Sequence, residues 1–426
     1  MRYERIWGIW VLTSESTWGS ISDIAKINPE TTNSNWNGRE IRYIDIASVG
    51  NGVFNSEPEL ILYDEAPSRA RRVVKHGDVL ISTVRPNRRS MIQILNPEEN
   101  TVASTGFALL RPNRITDSDY LFGIINNKQF TLELEMLAYG AAYPAVSTDD
   151  ICRALAYLPE EEERDRISRL LNLISKLHNS KLPKIIQEYI SSLFRSWFID
   201  FDIVKAKAEG ELPYGMDKET AALFPDTFED SELGSIPAGW AIGTVHDIAK
   251  QRKDIARSDV FDDMLPYIGL EHMPRNSIAL TEWGVSEGLE SNKFRYSKKD
   301  ILFGKLRPYF HKVGSAPLEG VCSTDILVIQ PIDEKLGGFL LPILSSEHFV
   351  NFVSGISEGV GLPRTKWEHF KLYKIALPPV EIREKFVSLV DPMLQIIESS
   401  IHESKGLEHA RDALLPRLMS GELKVN

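Results

Sequence analysis

The most constraining feature of this chain is an internal repeat that spans most of its length. The tetrapeptide DIAK at residues 23–26 returns at residues 247–250, and the later matches keep the same order with small changes in spacing. A repeat of this length predicts two similar folded units in one polypeptide. Two similar units suggest a ligand with two comparable sites, and DNA is the obvious candidate. The other recurring pairs are Tyr43-Ile44 with Tyr267-Ile268, Arg85-Pro86 with Arg307-Pro308, Ser104-Thr105 with Ser323-Thr324, and Leu158-Pro159 with Leu377-Pro378.

The distribution of charge agrees better with a nucleic-acid partner than the total charge does. The 426 residues carry a formal net charge of −11, which alone argues weakly against binding a polyanion. Basic residues nevertheless cluster at the same place in each repeat, between residues 66 and 96 and between residues 292 and 313. Asp78 and Asp300 are the single acidic residues of these two segments. A solvated charged face would explain one such run, but its duplication favours a binding surface.

The composition is that of a cytoplasmic protein. No apolar run approaches the roughly 20 residues needed to span a membrane. The apolar stretch at residues 6–12 lacks the cleavage site of a signal peptide, so we expect none. Cys152 and Cys322 fall at unmatched positions of the two repeats, and we expect buried thiols rather than a disulfide or a metal pair.

Each repeat is predicted to consist of a globular α+β part followed by a long helix. Residues 18–157 and 240–376 contain short β-rich runs separated by Gly and Pro, and helical patterns occur around residues 120–137 and 336–353. The predicted fold is therefore two tandem, pseudo-symmetric mixed α/β domains, each followed by a helix. Residues 203–239 mix Gly, Pro and acidic residues, and we expect an extended connector at the surface.

The helical parts carry narrow apolar stripes of the kind found in coiled coils. Four acidic residues at 160–163 suit the start of the first helix, and Pro183 is expected to kink or break it. Pro392 and Pro416 are expected to interrupt the second helix. We favour pairing of the two helices as an antiparallel coiled coil over packing of each helix on its own globular part. The predicted interface residues are Ile167, Leu170, Ile174 and Leu177 in the first helix, and Phe386, Val390, Met393 and Ile397 in the second.

The sequence offers little that could carry out catalysis. It contains no GxxxxGK[ST] phosphate loop, no methyl-donor or amine-binding motif of a methyltransferase, and no HExxH or Cys/His metal spacing. The run Asp333-Glu334-Lys335 could pass for the end of a nuclease motif, but it lacks the preceding strand-borne Asp. We therefore expect a non-catalytic chain that binds neither a cofactor nor a metal.

The strongest functional signal is a basic loop at the same place in each repeat. An apolar strand runs into Arg-Pro in both repeats, and proline ends a strand and turns the chain. Arg and Asn side chains read base edges, while Lys and Arg also hold phosphates. We expect the shared Arg85 and Arg307 to hold phosphate or the loop itself, and the variable residues beyond them to touch bases. The candidate DNA-binding residues are Arg85, Asn87, Arg88 and Arg89, and Lys305, Arg307, Tyr309, His311 and Lys312.

Several further motifs resemble those of the specificity subunits of type I restriction-modification enzymes. The resemblance covers roughly residues 18–423, whereas residues 1–17 differ from the usual short start of the family. The motifs are framework segments, so they indicate the family and not the DNA sequence that is read. They are LFRSWFIDFD at 193–202, GMD at 215–217, AALFPD at 221–226, ELGSIPAGW at 232–240 and LLPRLMSGEL at 414–423.

The resemblance implies a DNA-binding subunit with two target-recognition domains, each reading one half of a bipartite site. It also implies two paired spacer helices that act as a ruler and dock other subunits. Those partners are modification subunits, which methylate adenine with S-adenosylmethionine, and restriction subunits, which use ATP and Mg; no membrane partner is implied. The implied organisation is a first target-recognition domain at 1–157, a central spacer helix at 158–202, a connector at 203–239, a second target-recognition domain at 240–376 and a distal spacer helix at 377–426.

Two other interpretations stay open at this point. The chain could be a scaffold whose helices dock partners and whose globular parts bind protein rather than DNA. It could also be a stand-alone enzyme. The paired basic loops favour a DNA-binding subunit over the scaffold, and the missing catalytic motifs argue against the enzyme.

Overall fold

The computed structural model describes residues 2–6, 9–13, 18–140, 144–178, 181–257, 264–359 and 361–424, with side chains for residues 18–140, 144–175 and the segments from 181 onward. The chain forms two compact units: unit 1 comprises residues 1–179 and 406–426, and unit 2 comprises residues 180–405. Helices and sheets occur in both units, which confirms the predicted α+β class. The units group each spacer helix with a globular part, so the domain boundaries given above stay a prediction.

Among its described residues, unit 1 contains five complete helices, the end of a sixth that begins in unit 2, and twelve strands. The helices are α1 (Ile21–Ile24), α2 (Ser118–Ile125), α3 (Lys128–Leu137), α4 (Thr148–Arg153) and α5 (Glu161–His178). The strands are β1 (Arg2–Ile6), β2 (Ile9–Thr13), β3 (Trp18–Ser20), β4 (Ala25–Ile27), β5 (Glu40–Ile44), β6 (Glu59–Leu62), β7 (Ala70–Val73), β8 (Val79–Ser82), β9 (Met91–Gln93), β10 (Thr101–Ser104), β11 (Phe107–Pro112) and β12 (Leu155–Tyr157).

Two four-stranded sheets organise the centre of unit 1. One has the order β4-β11-β8-β9 with antiparallel neighbours, and the other has the order β6-β5-β10-β7 with a parallel β5/β10 pair. The apolar run in β8 is buried on both faces, because Val79 and Ile81 face one core while Leu80 faces another. This buried strand fixes the position from which the basic loop emerges.

Unit 2 repeats this arrangement. Its helices are α6 (Leu182–Phe198), α7 (Asp202–Ala208), α8 (Lys218–Ala222), α9 (Val245–Ile248), α10 (Gly337–Leu344), α11 (Glu347–Gly355), α12 (Trp367–Phe370) and the larger part of α13 (Val380–Met419). Its strands are β13 (Phe228–Ser231), β14 (Gly234–Pro237), β15 (Ala241–Thr244), β16 (Ala249–Arg252), β17 (Ile255–Ala256), β18 (Pro266–Ile268), β19 (Gly284–Val285), β20 (Lys293–Tyr296), β21 (Ile301–Gly304), β22 (Val313–Ser315), β23 (Gly320–Cys322), β24 (Ile326–Pro331) and β25 (Lys374–Leu377).

The strand orders show that the sequence repeat is also a structural repeat. The sheet β16-β24-β21-β22 has the order of β4-β11-β8-β9, and the parallel pair β18/β23 matches β5/β10. The two predicted helical patterns are confirmed, although each is a pair of short helices, α2 with α3 and α10 with α11.

The prolines of the spacer helices act differently from one another. The predicted break at Pro183 is confirmed: α5 ends at His178, and α6 begins at Leu182 with the proline in its first turn, where no backbone donor is needed. The predicted interruptions at Pro392 and Pro416 are wrong, because α13 is one continuous helix of 40 residues.

Burial explains why α13 continues through Pro392. A proline inside a helix costs about 3 kcal/mol, because it lacks an N–H and clashes with the preceding turn. Burying one large apolar side chain contributes about 1.5–3 kcal/mol. Val390 and Ile397 lie on either side of the proline and are both buried in the core of unit 2, as are Phe386 and Ile401 further along the helix. Their combined burial outweighs the local cost.

The connector at residues 203–239 is not extended, and that prediction is wrong. It folds into α7, α8 and the β13/β14 hairpin. Val204, Phe224 and Ile236 are buried in the core of unit 2, and the ring of Phe224 lies 5.1 Å from that of Trp197 between centroids. Gly, Pro and acidic residues are frequent in this segment, but its buried apolar residues decide its structure.

Two smaller expectations concern membranes and thiols. Among the described residues, no single helix has the length and apolar character to cross a membrane; Glu334–Leu344 and Glu347–Gly355 meet that test only as a pair bent by 68°. Cys152 and Cys322 are both free thiols. Cys322 is buried as predicted, whereas Cys152 is partly exposed, contrary to the prediction.

Candidate nucleic-acid interface

In unit 1 the basic loop is a tight turn between β8 and β9, called here the unit 1 turn (residues 85–89). Pro86–Arg88 forms a 3-10 turn, and Arg85 and Arg89 on either side both have a φ of 52°. Non-glycine residues in this left-handed region cost about 1–3 kcal/mol and persist only where the surroundings hold them. One hydrogen bond that holds this conformation runs from the N–H of Arg85 to the carbonyl oxygen of Pro144 at 2.7 Å.

In unit 2 the corresponding turn has the same backbone conformation; it is called here the unit 2 turn (residues 307–311). Pro308–Phe310 forms the 3-10 turn, and the φ angles of Arg307 and His311 are 49° and 52°. The N–H of Arg307 donates to the carbonyl oxygen of Pro363 at 2.8 Å. Strained conformations that recur at matched positions are typical of functional sites.

The last residue of each turn points inward. The Arg89 guanidinium donates from Nη2 to the carbonyl oxygen of Asn126 at 2.8 Å and from Nη1 to the Thr131 hydroxyl at 2.9 Å. Burial lowers the pKa of Arg89. The Nε2 of His311 donates to the carbonyl oxygen of Ser345 at 2.8 Å. Both predicted DNA-binding residues therefore fasten their turn to the junction between two helices.

The centre of each turn points outward. Asn87 and Arg88 are exposed in unit 1, and Tyr309 is 53% exposed in unit 2. Of the nine predicted DNA-binding residues, these three present the most accessible side chains. A ligand could contact these side chains without unfolding the turn that carries them.

The remaining candidates are held more closely. Arg85 is half-buried, and Arg307 donates from Nη2 to the carbonyl oxygen of Gly361 at 3.5 Å. Lys312 donates from Nζ to the carbonyl oxygen of Leu270. Burial lowers the pKa of both Lys305 and Lys312. These residues contribute positive charge beside the turns rather than at their tips.

The two basic segments are less basic in the fold than in the sequence. Acidic residues from distant parts of the chain pair with several of their cations, which the sequence pattern did not predict. The pairs include Arg69 with Asp45 at 2.7 Å, Lys75 with Glu30 at 2.6 Å, and Lys298 with Glu398. These pairs reduce the positive charge that the two segments offer to a polyanion.

A buried carboxylate lies at the base of each turn's strand, and sequence reasoning gave it no role. Asp78 is fully buried and accepts from Arg111 Nε and Nη2, both at 2.8 Å. Asp300 is buried and accepts from Gln330 Nε2 at 2.8 Å and from Arg252 Nη1 at 3.4 Å. In the sequence, the recurrence of one acidic residue inside each otherwise basic segment could have indicated this role.

The predicted interface residues of the spacer helices are mostly buried. Ile167, Ile174, Phe386, Val390 and Ile397 are buried, and Leu170 and Met393 are half-buried. The side chain of Leu177 lies outside the described residues. The ring of Phe386 packs on Phe194 of α6, with centroids 6.0 Å apart, and on Phe339 of α10 at 6.2 Å. In unit 2, α13 therefore contacts both the other spacer helix and the globular part.

Comparison with known proteins finds similarity to type I restriction-modification specificity subunits. Residues 237–409 match the family described as Type I restriction modification DNA specificity domain. The type I restriction enzyme HindI specificity subunit of Haemophilus influenzae is 24% identical over 84% of this chain and 89% of the relative. The MjaIX specificity subunit of Methanocaldococcus jannaschii is also 24% identical, over 95% and 93%. Residues 237–409 therefore match a domain of this family, and both of these relatives are named as specificity subunits of type I restriction enzymes.

These matches confirm the resemblance found in the sequence motifs. Both relatives are named as specificity subunits, which are the non-catalytic members of type I systems. Among the described residues, no three His, Cys, Asp or Glu side chains gather in a way that could hold a metal ion. A solved S subunit from M. genitalium is 12% identical over 96% of this chain and 98% of that chain, with a TM-score of 0.46.

Proposed function

We propose that this chain is a type I specificity subunit that reads a bipartite DNA site, with unit 1 reading one half and unit 2 reading the other. The observation that carries the proposal is the pair of turns with one backbone conformation and different exposed side chains. Asn87 and Arg88 occupy the tip in unit 1, and Tyr309 occupies it in unit 2. Different side chains on a common backbone are what two readers of different short sequences need.

We also propose that the spacer helices pair as an antiparallel coiled coil that sets the distance between the half-sites. In unit 1, Ile167 and Leu171 of α5 share a core with Leu415 near the end of α13. In unit 2, Phe194 of α6 packs on Phe386 near the beginning of α13. Because α5 precedes α6 whereas residue 386 precedes residue 415, the order of these contacts supports antiparallel pairing.

The proposed partners are double-stranded DNA, modification subunits that methylate adenine, and restriction subunits. S-adenosylmethionine, ATP and Mg would act on those partner subunits, and the assembly would work in the cytoplasm. The support for these partners is the family: the relatives are named as specificity subunits of type I restriction enzymes.

The test measures DNA affinity of the chain assembled with its modification subunits. The target site is obtained by mapping modified adenines in the host genome, and a scrambled duplex of equal length serves as control. We expect the target to bind about 10³-fold more tightly or better. Inserting about five base pairs between the halves turns one half-site to the opposite face of the duplex, and should abolish that preference. Intact assembly with equal affinity for both duplexes would instead favour the protein-binding scaffold.

A further inference from the structure

We propose that Arg275 is a base-reading residue for the second half-site and that Phe310 holds its guanidinium in position. The proposal rests on the proposed function, because it requires the unit 2 turn to face DNA.

The two turns differ in whether they carry their own outward-pointing arginine. In unit 1 the exposed Arg88 belongs to the turn itself, whereas in unit 2 the matching residue is Phe310. A neighbouring loop supplies the cation instead. The guanidinium carbon of the exposed Arg275 lies 3.8 Å from the centroid of the Phe310 ring. At this distance the guanidinium stacks on the ring in a cation–π contact.

The loop that carries Arg275 is held by hydrogen bonds to the unit 2 turn and to α6. Asn276 has a φ of 54°, and its N–H donates to the carbonyl oxygen of His311 in the unit 2 turn at 3.0 Å. The side chain of Gln187 on α6 donates to the carbonyl oxygen of Asn276 at 3.0 Å and accepts from the N–H of Ile278 at 2.9 Å. A side chain placed in advance loses less conformational entropy when it binds its target.

The charges around Arg275 also favour an electron-rich ligand. Lys312 lies close enough that Arg275, together with the larger effect of burial, lowers the pKa of Lys312. Arg307 lies on the same ring, with its guanidinium carbon 5.7 Å from the Phe310 centroid. The acidic Glu271 is also close to Lys312, and its negative charge acts to raise the pKa of Lys312. Within the described ranges, no carboxylate forms an ion pair with Arg275.

Stacking leaves the edge of the guanidinium available for hydrogen bonding. The face of the group lies against Phe310, so its in-plane N–H donors can meet a planar acceptor pair such as O6 and N7 of guanine. The short 3-10 turn Ile46–Ser48 of unit 1 matches Leu270–His272 of unit 2. Counting the same number of residues from each turn, the unit 1 counterpart of Arg275 is Asn51. Residues shared by both readers suit positioning, and residues that differ suit base identity, so Arg275 belongs to the second kind.

The experiment compares four variants in complex with the modification subunits. Each is measured on the native site and on a panel with every single-base change in both halves. Arg275→Ala should lower affinity for the native site about 10- to 100-fold, with the loss disappearing when one base pair of the second half is changed. Arg275→Lys should keep the salt dependence of binding but lose most of that discrimination. Phe310→Leu should lower affinity for the native site with the same dependence on sequence as Arg275→Ala, but by a smaller factor.

Lys218→Ala is the matched control, because it removes one exposed positive charge from α8 of unit 2. It should leave the panel unchanged. Equal losses for Arg275→Ala on every duplex, losses confined to the first half, or no loss at all would each overturn the proposal. A wild-type complex that does not distinguish its target from scrambled DNA would show instead that the proposed function has failed.

Discussion

The unit 1 and unit 2 turns share a backbone conformation but differ in the side chains that fix it and in those that face outward. At the inward ends, the guanidinium of Arg89 and the imidazole of His311 each donate a hydrogen bond to a carbonyl oxygen at a helix junction. At the tips, Arg88 is replaced by Phe310, and Arg275 stacks on that ring. The turn therefore accepts different residues both at its inward end and at its tip, provided that a donor at the inward end reaches the carbonyl oxygen at the helix junction.

The buried carboxylates below the turns lead to the same conclusion. Asp78 is held by Arg111 on β11, whereas Asp300 is held by Gln330 on the matching strand and by Arg252 on β16. The arginine has moved to a different strand while the carboxylate has stayed. The acid at the start of the strand is therefore the constant part of each reader, and its partner is exchangeable.

The largest expected effect comes from the spacer helices. Ile174 is buried in unit 1, so Ile174→Asp places an unpaired charge in an apolar core and should destabilise the unit by about 5 kcal/mol. Its repeat counterpart Met393 is half-buried, and Met393→Asp should cost less. Leu173 is 56% exposed, so Leu173→Asp is the control, with an expected change within about 0.5 kcal/mol. Urea unfolding measures all three, and an unchanged midpoint for Ile174→Asp would contradict the buried seam.

The two buried carboxylates should differ in how much stability depends on them. Asp78→Ala leaves the guanidinium of Arg111 without its two bonds and should cost about 3–5 kcal/mol. Asp300→Ala chiefly leaves the amide of Gln330 unpaired and should cost about 1–3 kcal/mol. Unfolding of each variant followed by urea titration checks the order. A larger loss for Asp300→Ala would mean that its longer contact with Arg252 matters more than the distance indicates.

Adjacent arginines in the unit 1 turn should separate stability from recognition. Arg89→Ala removes three hydrogen bonds of a charged group and should lower the free energy of unfolding by about 1.5–3 kcal/mol. Arg88→Ala removes an exposed side chain, so unfolding should stay within about 0.5 kcal/mol of wild type. Thermal and urea unfolding of the two variants, side by side, measure the contrast. Equal stability of both would show that the inward contact of Arg89 does not hold the turn.

The shared arginine of the unit 2 turn should have a smaller and less selective effect. If Arg307 holds one phosphate as proposed, Arg307→Ala should weaken binding to all duplexes alike and lower the slope of log affinity against log salt by about one. Salt titrations with native and scrambled duplexes measure the slope. A loss concentrated at one base pair would move Arg307 to the base-reading residues.

The sequence predicted those features that depend on local pattern. The repeat, the apolar strand before each Arg-Pro, the helical patterns around 120–137 and 336–353 and the break at Pro183 all follow from periodicity or from the geometry of proline. The continuity of α13 did not, because the burial of Val390 and Ile397 that outweighs the cost of Pro392 is a tertiary property. The fold of the connector was missed for the same reason.

The candidate site was predicted in outline but not in detail. Its location after a strand in each repeat came from sequence, yet the inward direction of Arg89 and His311 depends on left-handed backbone angles that no motif reveals. The partners of the basic segments, such as Glu30 for Lys75, lie far away in the sequence. Arg275 also precedes the unit 2 turn by many residues, and only folding brings it onto Phe310.

The most direct test of the central claim, that the tips of the two turns read different halves of one site, uses Arg88→Ala and Tyr309→Ala. Each variant is assembled with modification subunits, and its affinity is measured on a panel of single-base changes that covers both half-sites. Arg88→Ala should lose about 1–3 kcal/mol of discrimination in one half only, and Tyr309→Ala should lose discrimination only in the other half. Losses that fall in the same half, or that spread evenly over the whole panel, would contradict the account.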